Sequence, residues 1–382
     1  MGTPVSVSAR PTVSVIVPAR NEEASLGTCL ASLVAQSGVD FEVIVVDDGS
    51  TDRTRAIAES FPVVQVVEPG PLPSGWTGKN NAVTVGAQRA RGEWLLFTDA
   101  DTVHRPGSLA RAVAEAREHH ADLLSYSPEQ EVHGFWERAV MPVIFAELAS
   151  AYPPSKVNDP SSPLAAANGQ YLMISREVYE AVGGHASVAK DLLEDVAIAR
   201  LVKRAGKTVF FRYGGDMVRT RMYRSFAQLR EGWTKNLALL FPSALSFAGL
   251  QIGMFVVIVA DVAELLVLRL IGGSGSWPWM ATLVAIIFWL RIRKAHFSLL
   301  SNILAIFGLP IFAYLLLRSA ILQRKGGIRW KERTYNSWEV GVAPPWWFPF
   351  VGTSYLVGAV LIVLTCSVGF ALACNRYLLH HR

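Results

Sequence analysis

Residues 41–52 read FEVIVVDDGSTD. Phe41–Val46 is a short, β-branched apolar run, the pattern of a buried strand. It stops at Asp47-Asp48-Gly49-Ser50-Thr51-Asp52, a turn whose short polar side chains cap a helix running to about Phe61. On the N-terminal side, Val13–Val17 is a similar run ending at Pro18, and Asn21-Glu22-Glu23 opens a helical pattern with Leu26, Leu30 and Leu33 on one face. On the C-terminal side, Val63–Val67 forms a third strand that runs into the loop EPGPLPSGWTG. The alternation β-α-β-α-β predicts an α/β domain with a mostly parallel sheet and helices on both faces.

Further along, Val83–Ala90 reads as a helix, Glu93–Phe97 as a strand ending at Asp99, residues 106–119 as a helix and 122–126 as a strand. Residues 168–185 hold a short strand and a helix closed by Gly183-Gly184, and a helix over 192–206 ends at Gly206. Residues 131–152 are apolar on one face and suit either a buried helix or one facing a membrane or acceptor. In 221–241, Met222, Phe226, Leu229, Trp233 and Leu237 share a stripe with Arg221, Arg224, Arg230 and Lys235 elsewhere, which predicts a helix lying in a membrane interface. Beyond about residue 245, apolar spans are expected near 247–271, 277–290, 299–322 and 346–373. The second is short and Pro310 interrupts the third, so a broken or re-entrant segment is expected there. Asp261 and Glu264, costly in lipid, should face protein or water. The organisation that follows is a domain over 1–220, an interface helix over 221–245, and a membrane region of three to four spans over 246–382 with a basic loop at 324–345.

The 382 residues carry a formal net charge of +5, yet the basic residues gather beside the apolar segments, as RIRK at 291–294 and RKGGIRWKER at 324–333. That placement predicts attraction to lipid headgroups and cytoplasmic retention, not nucleic-acid binding. Cys29, Cys366 and Cys374 have neither disulfide nor metal spacing. The N-terminal residues lack a signal-peptide core, so the first domain is expected to stay on the side where it was made.

Three acidic clusters carry the chemistry: Asp47-Asp48, Asp99 with Asp101, and Glu194-Asp195. Two of them end strands, and the carboxyl ends of strands in an open α/β sheet form the ligand crevice. Crowded carboxylates there need a cation. A divalent ion suits Asp99 and Asp101 and takes its remaining ligands from a phosphorylated substrate, which implies a nucleotide diphosphate. No Walker A or G-x-G-x-x-G cradle follows the first strand. Lys79, read as part of the loop Gly75–Ala82, supplies positive charge instead. Glu194-Asp195, in the first turn of a helix, either complements the helix dipole or removes a proton from an attacking hydroxyl.

The strings VSVIVPARNEE, VVDDGSTD, GWTGKNNA, FTDAD, NGQYLMISREVYEAVGGH and LEDVAIAR, in this order, resemble the inverting family 2 glycosyltransferases of GT-A fold over about residues 12–240. The likeness is strongest to membrane enzymes that glycosylate hopanoids and carotenoids, and more distant to ceramide glucosyltransferase. The resemblance implies that Pro18, Ala19, Glu22 and Asp48 line the nucleoside pocket, Asp48 at the uracil edge. It implies that Lys79, Asp99 and Ala100 contact the nucleotide sugar and that Asp101 with Asp99 binds Mn²⁺ or Mg²⁺. Asp195, beside Glu194, resembles the general base. Trp330 and Arg333 in a WKGR-like stretch, with Trp233 and Arg230, are implied near acceptor or interface. Gly232 stands before Trp233 where processive synthases carry arginine, and Glu332 stands where WKGR has glycine. The first departure favours a single hexose transfer from a UDP-sugar to a membrane lipid over a processive polysaccharide synthase; an inactive lipid-binding scaffold is the alternative of another class. An integral membrane protein with its catalytic domain at the cytoplasmic face of a bacterial inner membrane is the expected setting.

Overall fold

The computed structural model describes residues 11–241, 243–270, 279–325, 328–330 and 333–335. The chain divides into two compact units, one built from 1–131, 152–222 and 329–341 and the other from 132–151, 223–328 and 342–382.

In the first unit, β1 (Val13–Ala19), α1 (Leu26–Val34), β2 (Phe41–Asp47), α2 (Thr54–Glu59), β3 (Val64–Val67), α3 (Gly78–Arg89) and β4 (Trp94–Phe97) follow the alternation read from the sequence. β5 (Thr102–His104), α4 (Ser108–Glu118), β6 (Leu123–Ser127) and β7 (Glu129–Gln130) come next. After α5 (Phe135–Ala151), which belongs to the second unit, the first resumes with α6 (Pro154–Val157), β8 (Leu172–Ser175) and α7 (Arg176–Ala181). A 3₁₀ turn at Gly184–Val188, α8 (Glu194–Arg204), β9 (Val209–Tyr213) and β10 (Val218–Thr220) complete it.

Seven strands form one sheet in the order β3-β2-β1-β4-β8-β6-β9. β1 pairs in parallel with β2 and β4, while β8 runs antiparallel to both β4 and β6. Because side chains alternate along a strand, the apolar runs feed two cores. Ile16, Ile44, Val46, Leu95 and Phe97 pack on one face, and Val15, Val17, Val43, Val45 and Leu96 on the other. Burial on both faces explains why β1, β2 and β4 read as unbroken apolar stretches, each large side chain contributing about 1.5–3 kcal/mol. α3 lies close on the sheet at Gly86, where a Cβ would come within 2.5 Å of Ile16 Cγ2.

The parallel strands put Ala19, Asp47 and the residue after Phe97 at one edge of the sheet. β8 enters from that same edge because Leu172 pairs with Phe97, so residues 168–171 arrive beside Asp99. A second sheet, β5-β10-β7, was not legible from such short strands. It holds the backbone of Asp101, whose carbonyl accepts from Thr220 Oγ1 at 3.2 Å.

The second unit is helical: α5, α9 (Phe226–Leu240), α10 (Ala244–Leu270), α11 (Trp279–Ile292), a 3₁₀ turn at Arg293–Ala295 and α12 (Leu299–Lys325). α9 begins five residues later than its stripe predicted because the Ser225 side chain caps it, accepting from Gln228 N–H. Leu229, Trp233 and Leu237 of that stripe are buried. Contrary to the expected break, α12 continues through Pro310. Proline costs a helix one backbone bond, and here packing compensates: α12 lies against α5 so tightly that a Cβ at Gly308 would sit 1.9 Å from Ala139 O. Glu147 of α5, Gln251 of α10 and Arg291 of α11 meet in a buried cluster, with Arg291 Nη2 2.6 and 2.8 Å from the carboxylate oxygens.

Among the described residues α12 is the helix long and apolar enough to cross a bilayer by itself. The expected span at 346–373, Cys366, Cys374 and the side chains of Asp261 and Glu264 lie outside the described residues. Two short strands, β11 (Ile328–Trp330) and β12 (Arg333–Tyr335), pair with each other. The side chains of Trp330 and Arg333 also lie outside the described residues.

Candidate functional site

Lys79 is not in a loop. α3 starts at Gly78 because Thr77 caps it, its side chain accepting from Asn80 N–H, and Lys79 therefore stands in the first helical turn. From there its ammonium reaches Asp99 Oδ1 at 2.7 Å and Glu194 Oε1 at 2.8 Å. Burial would lower the pKa of Lys79, but the two carboxylates hold it well above its ordinary value. One cation thus joins the acidic cluster after β4 to the one that opens α8.

The neighbour of Lys79 fixes the approach of α8. Asn80 shares its side-chain N–H groups among the carbonyls of Val188, Ala189 and Asp191 at 2.8–3.1 Å. Thr77 N–H donates to Ala189 O at 2.9 Å. The segment before α8 is therefore tied to α3 before Glu194 and Asp195 appear.

Asp195 accepts from Gly169 N–H through Oδ2 and from Val196 N–H through Oδ1, each at 2.8 Å. Burial and the adjacent Glu194 raise its pKa to about 6, against the opposing pull of Lys79 and the two N–H groups. The carboxylate is poised between its protonated and charged forms near neutral pH, as a general base requires. Gly169 is needed for closeness, since a Cβ there would lie 3.0 Å from Lys79 Nζ.

Lys79, Asp99, Glu194 and Asp195 line one pocket with Pro18 and His185. Asp48 lies at the neighbouring strand end, its N–H donating to Ala19 O at 2.9 Å and its carbonyl accepting from Arg20 Nη1 at 2.5 Å. Glu22 shapes the turn after β1: its N–H donates to Thr54 Oγ1 and its carboxylate accepts from Ser25 Oγ. Ala19 and Ala100 are each 2% exposed and pack in the core beneath this edge.

The turn Asp99-Ala100-Asp101 is backed by hydroxyls. Thr102 Oγ1 donates to Asp99 O at 2.8 Å, and Thr98 Oγ1 donates to Gln170 O at 2.8 Å. Behind it, burial, followed by the charges of Asp101, Asp99 and Glu22, pushes the Cys29 thiol up to about 12, so all three carboxylates act on this one thiol. Among the described residues no group of three or more His, Cys, Asp or Glu side chains forms a complete metal cage. Two carboxylates on one backed turn fit a cation that draws its other ligands from a bound diphosphate.

Trp233 is buried within the helical unit, its indole N–H directed at Met141 Sδ at 3.3 Å, while Arg230 is exposed. Gly232 has a reason of its own: a Cβ there would meet the Tyr223 hydroxyl at 2.5 Å, so this packing has no room for an arginine. Sequence reasoning missed Gly169, Asn80 and His185. All three stand inside quoted motifs, but nothing in their type or spacing separates a site role from a structural one.

Residues 14–183 match the family described as Glycosyl transferase family 2. A curated relative, 4,4'-diaponeurosporenoate glycosyltransferase of Staphylococcus aureus, is 31% identical over 236 residues, covering 59% of this chain and 60% of the relative. The chain thus aligns with about three fifths of the length of the curated relatives it matches. Among solved structures, the mannosyltransferase PcManGT of Pyrobaculum calidifontis in complex with GDP-Man and Mn²⁺ is 19% identical with a TM-score of 0.48, over 82% of this chain and 87% of that one. Glucosyl-3-phosphoglycerate synthase of Mycobacterium tuberculosis, with Mn²⁺, UDP and glucosyl-3-phosphoglycerate, is 21% identical with a TM-score of 0.39, over 57% of this chain and 75% of that one.

Proposed function

We propose that this chain, which belongs over residues 14–183 to the family 2 glycosyltransferases, moves a hexose from a UDP-sugar to a membrane lipid in one inverting step. The observation that carries this reading is Asp195: a carboxylate raised to about 6, held by two N–H groups in a pocket it shares with Lys79 and Asp99.

In this reading Asp195 takes the proton of the acceptor hydroxyl as that oxygen attacks the anomeric carbon opposite the diphosphate. The C–O bond to the diphosphate breaks with its electron pair on the leaving oxygen, which needs no acid. Glu194 keeps Asp195 basic and holds Lys79. Lys79 and the positive first turn of α3 draw the nucleotide to the sheet edge, where Asp48, Pro18, Ala19 and Glu22 would border the nucleoside and Asp99 with Ala100 the ribose. A Mn²⁺ or Mg²⁺ ion on Asp101 and Asp99 would supply positive charge to the departing diphosphate.

The lipid acceptor rests on two observations. One is the apolar helix α12. The other is the Staphylococcus aureus relative, named for 4,4'-diaponeurosporenoate, a carotenoid acid. A carotenoid, hopanoid, sphingolipid or polyprenyl acceptor at the cytoplasmic face of a bacterial membrane is consistent with both. Gly232, packed on Tyr223 where processive synthases carry arginine, favours single transfer.

The full chain in detergent, given UDP-glucose, Mn²⁺ and a lipid extract, should release UDP and yield one glycosylated lipid. Asp195→Asn should lower turnover about 10²–10⁴-fold while leaving UDP affinity unchanged. Loss of UDP binding in that variant, or no UDP release from any common sugar nucleotide by the native chain, overturns the reading.

A further inference from the structure

One buried side chain in the pocket has no part in the proton transfer just described. His185, on the 3₁₀ turn between α7 and α8, is 2% exposed and lines the same pocket as Lys79, Glu194 and Asp195. Its partner is Tyr179: the phenol oxygen accepts from the His185 backbone N–H at 3.2 Å and lies 3.0 Å from ring Nδ1. Gly184, at φ +56°, permits this closeness, since a Cβ there would strike the Tyr179 ring at 2.6 Å. The Phe97 ring and the imidazole pack nearly perpendicular, 4.6 Å between centroids.

This geometry selects a tautomer. The backbone N–H can only donate, so the phenol accepts it, and the phenol's single proton needs an acceptor, which Nδ1 provides. The alternative, with Nδ1–H also donating to the phenol, strands a buried hydroxyl proton at a cost of about 1–3 kcal/mol. The ring proton is therefore on Nε2, which forms no hydrogen bond with a described residue and is not among the buried atoms sealed from solvent. Burial, with a smaller contribution from Lys79 and an opposing one from Glu194, lowers the His185 pKa to about 4, so the ring is neutral at physiological pH. Burial likewise raises Tyr179 to about 12 and keeps its proton in place.

The pocket's other polar side chains define what Nε2–H can meet. When ionised, Asp99, Glu194 and Asp195 only accept hydrogen bonds, and Thr98 spends its proton on Gln170 O. Lys79 is divided between two carboxylates. A hexose hydroxyl suits these groups, because it donates to a carboxylate and still accepts from an N–H. We propose that His185 is a specificity residue whose Nε2–H donates to one hydroxyl oxygen of the donor's hexose. The proposal rests on the nucleotide-sugar reading above and names the part of that substrate which this corner of the pocket reads.

The test is a cycle between protein and ligand, using the full chain in detergent, UDP, UDP-glucose and its 2-, 3-, 4- and 6-deoxy analogues. His185→Phe should lower kcat/KM for UDP-glucose roughly tenfold without changing UDP affinity. One deoxy analogue should lose a similar factor with the native chain and nothing further with the variant. His185→Gln, which keeps an N–H donor, should recover part of the loss and serves if the phenylalanine variant fails to fold. Equal weakening of UDP and UDP-glucose, or undiminished sensitivity to every missing hydroxyl in both variants, overturns the role of His185. A native chain that binds no UDP-sugar instead overturns the donor reading beneath it, so the two failures are told apart.

Discussion

At the scale of single residues, the site is organised by how few cations serve its carboxylates. Lys79 bonds both Asp99 and Glu194, and Asp195, one residue on, relies on two backbone N–H groups. Its raised pKa therefore has a predictable kinetic signature. In its proposed role as base Asp195 must be ionised, so kcat/KM should fall as pH drops through about 6. Glu194→Gln removes the neighbouring negative charge and frees Lys79 to favour the ionised form. Both effects lower the Asp195 pKa, so the acid limb should move to lower pH in a pH–rate profile; a limb that stays or rises would show that another group sets it. Much of this was legible in the sequence, because Asp99, Asp101, Glu194 and Asp195 stand in recognisable strings at strand and helix ends. The ion pairs were not, since Lys79 and Glu194 are 115 residues apart and only the fold brings them within 2.8 Å.

Among the elements, helix contacts test whether close packing or local propensity dominates. Gly308 interrupts the favourable composition of α12, and glycine costs a helix roughly 0.5–1 kcal/mol relative to alanine. Its Cβ would nevertheless lie 1.9 Å from Ala139 O, far inside van der Waals contact. Gly308→Ala should therefore destabilise the chain by about 1–3 kcal/mol despite the better propensity. Gly249 of α10 supplies the control, because nothing lies within 4 Å of a Cβ there. Gly249→Ala should be neutral or stabilising by roughly 0.5–1 kcal/mol in the same thermal denaturation measurement in detergent. If both glycines respond alike, the close approach of α12 to α5 is not what holds the helix through Pro310. Local pattern announced an interruption at this proline, whereas tertiary contact decided continuity.

For the whole molecule, one chain combines a sheet domain whose polar edge holds the proposed site with a helical unit holding the span-length α12. We expect the full chain to sediment with membranes and to stay there through an alkaline carbonate wash; release by that wash would show attachment without crossing. The sequence by itself determined the alternating first domain, because burial on both sheet faces imposes unbroken apolar runs and turns between them require short polar residues and glycine. It also marked the acidic clusters, whose charge has no place in a core. Tertiary structure alone decided that β8 runs antiparallel and delivers Gly169 to Asp195, that Asn80 ties down the approach to α8, and that the Tyr179 hydroxyl meets the ring of His185. Each of those rests on a contact between elements, and strand order, helix approach and side-chain direction leave no periodic trace in the chain.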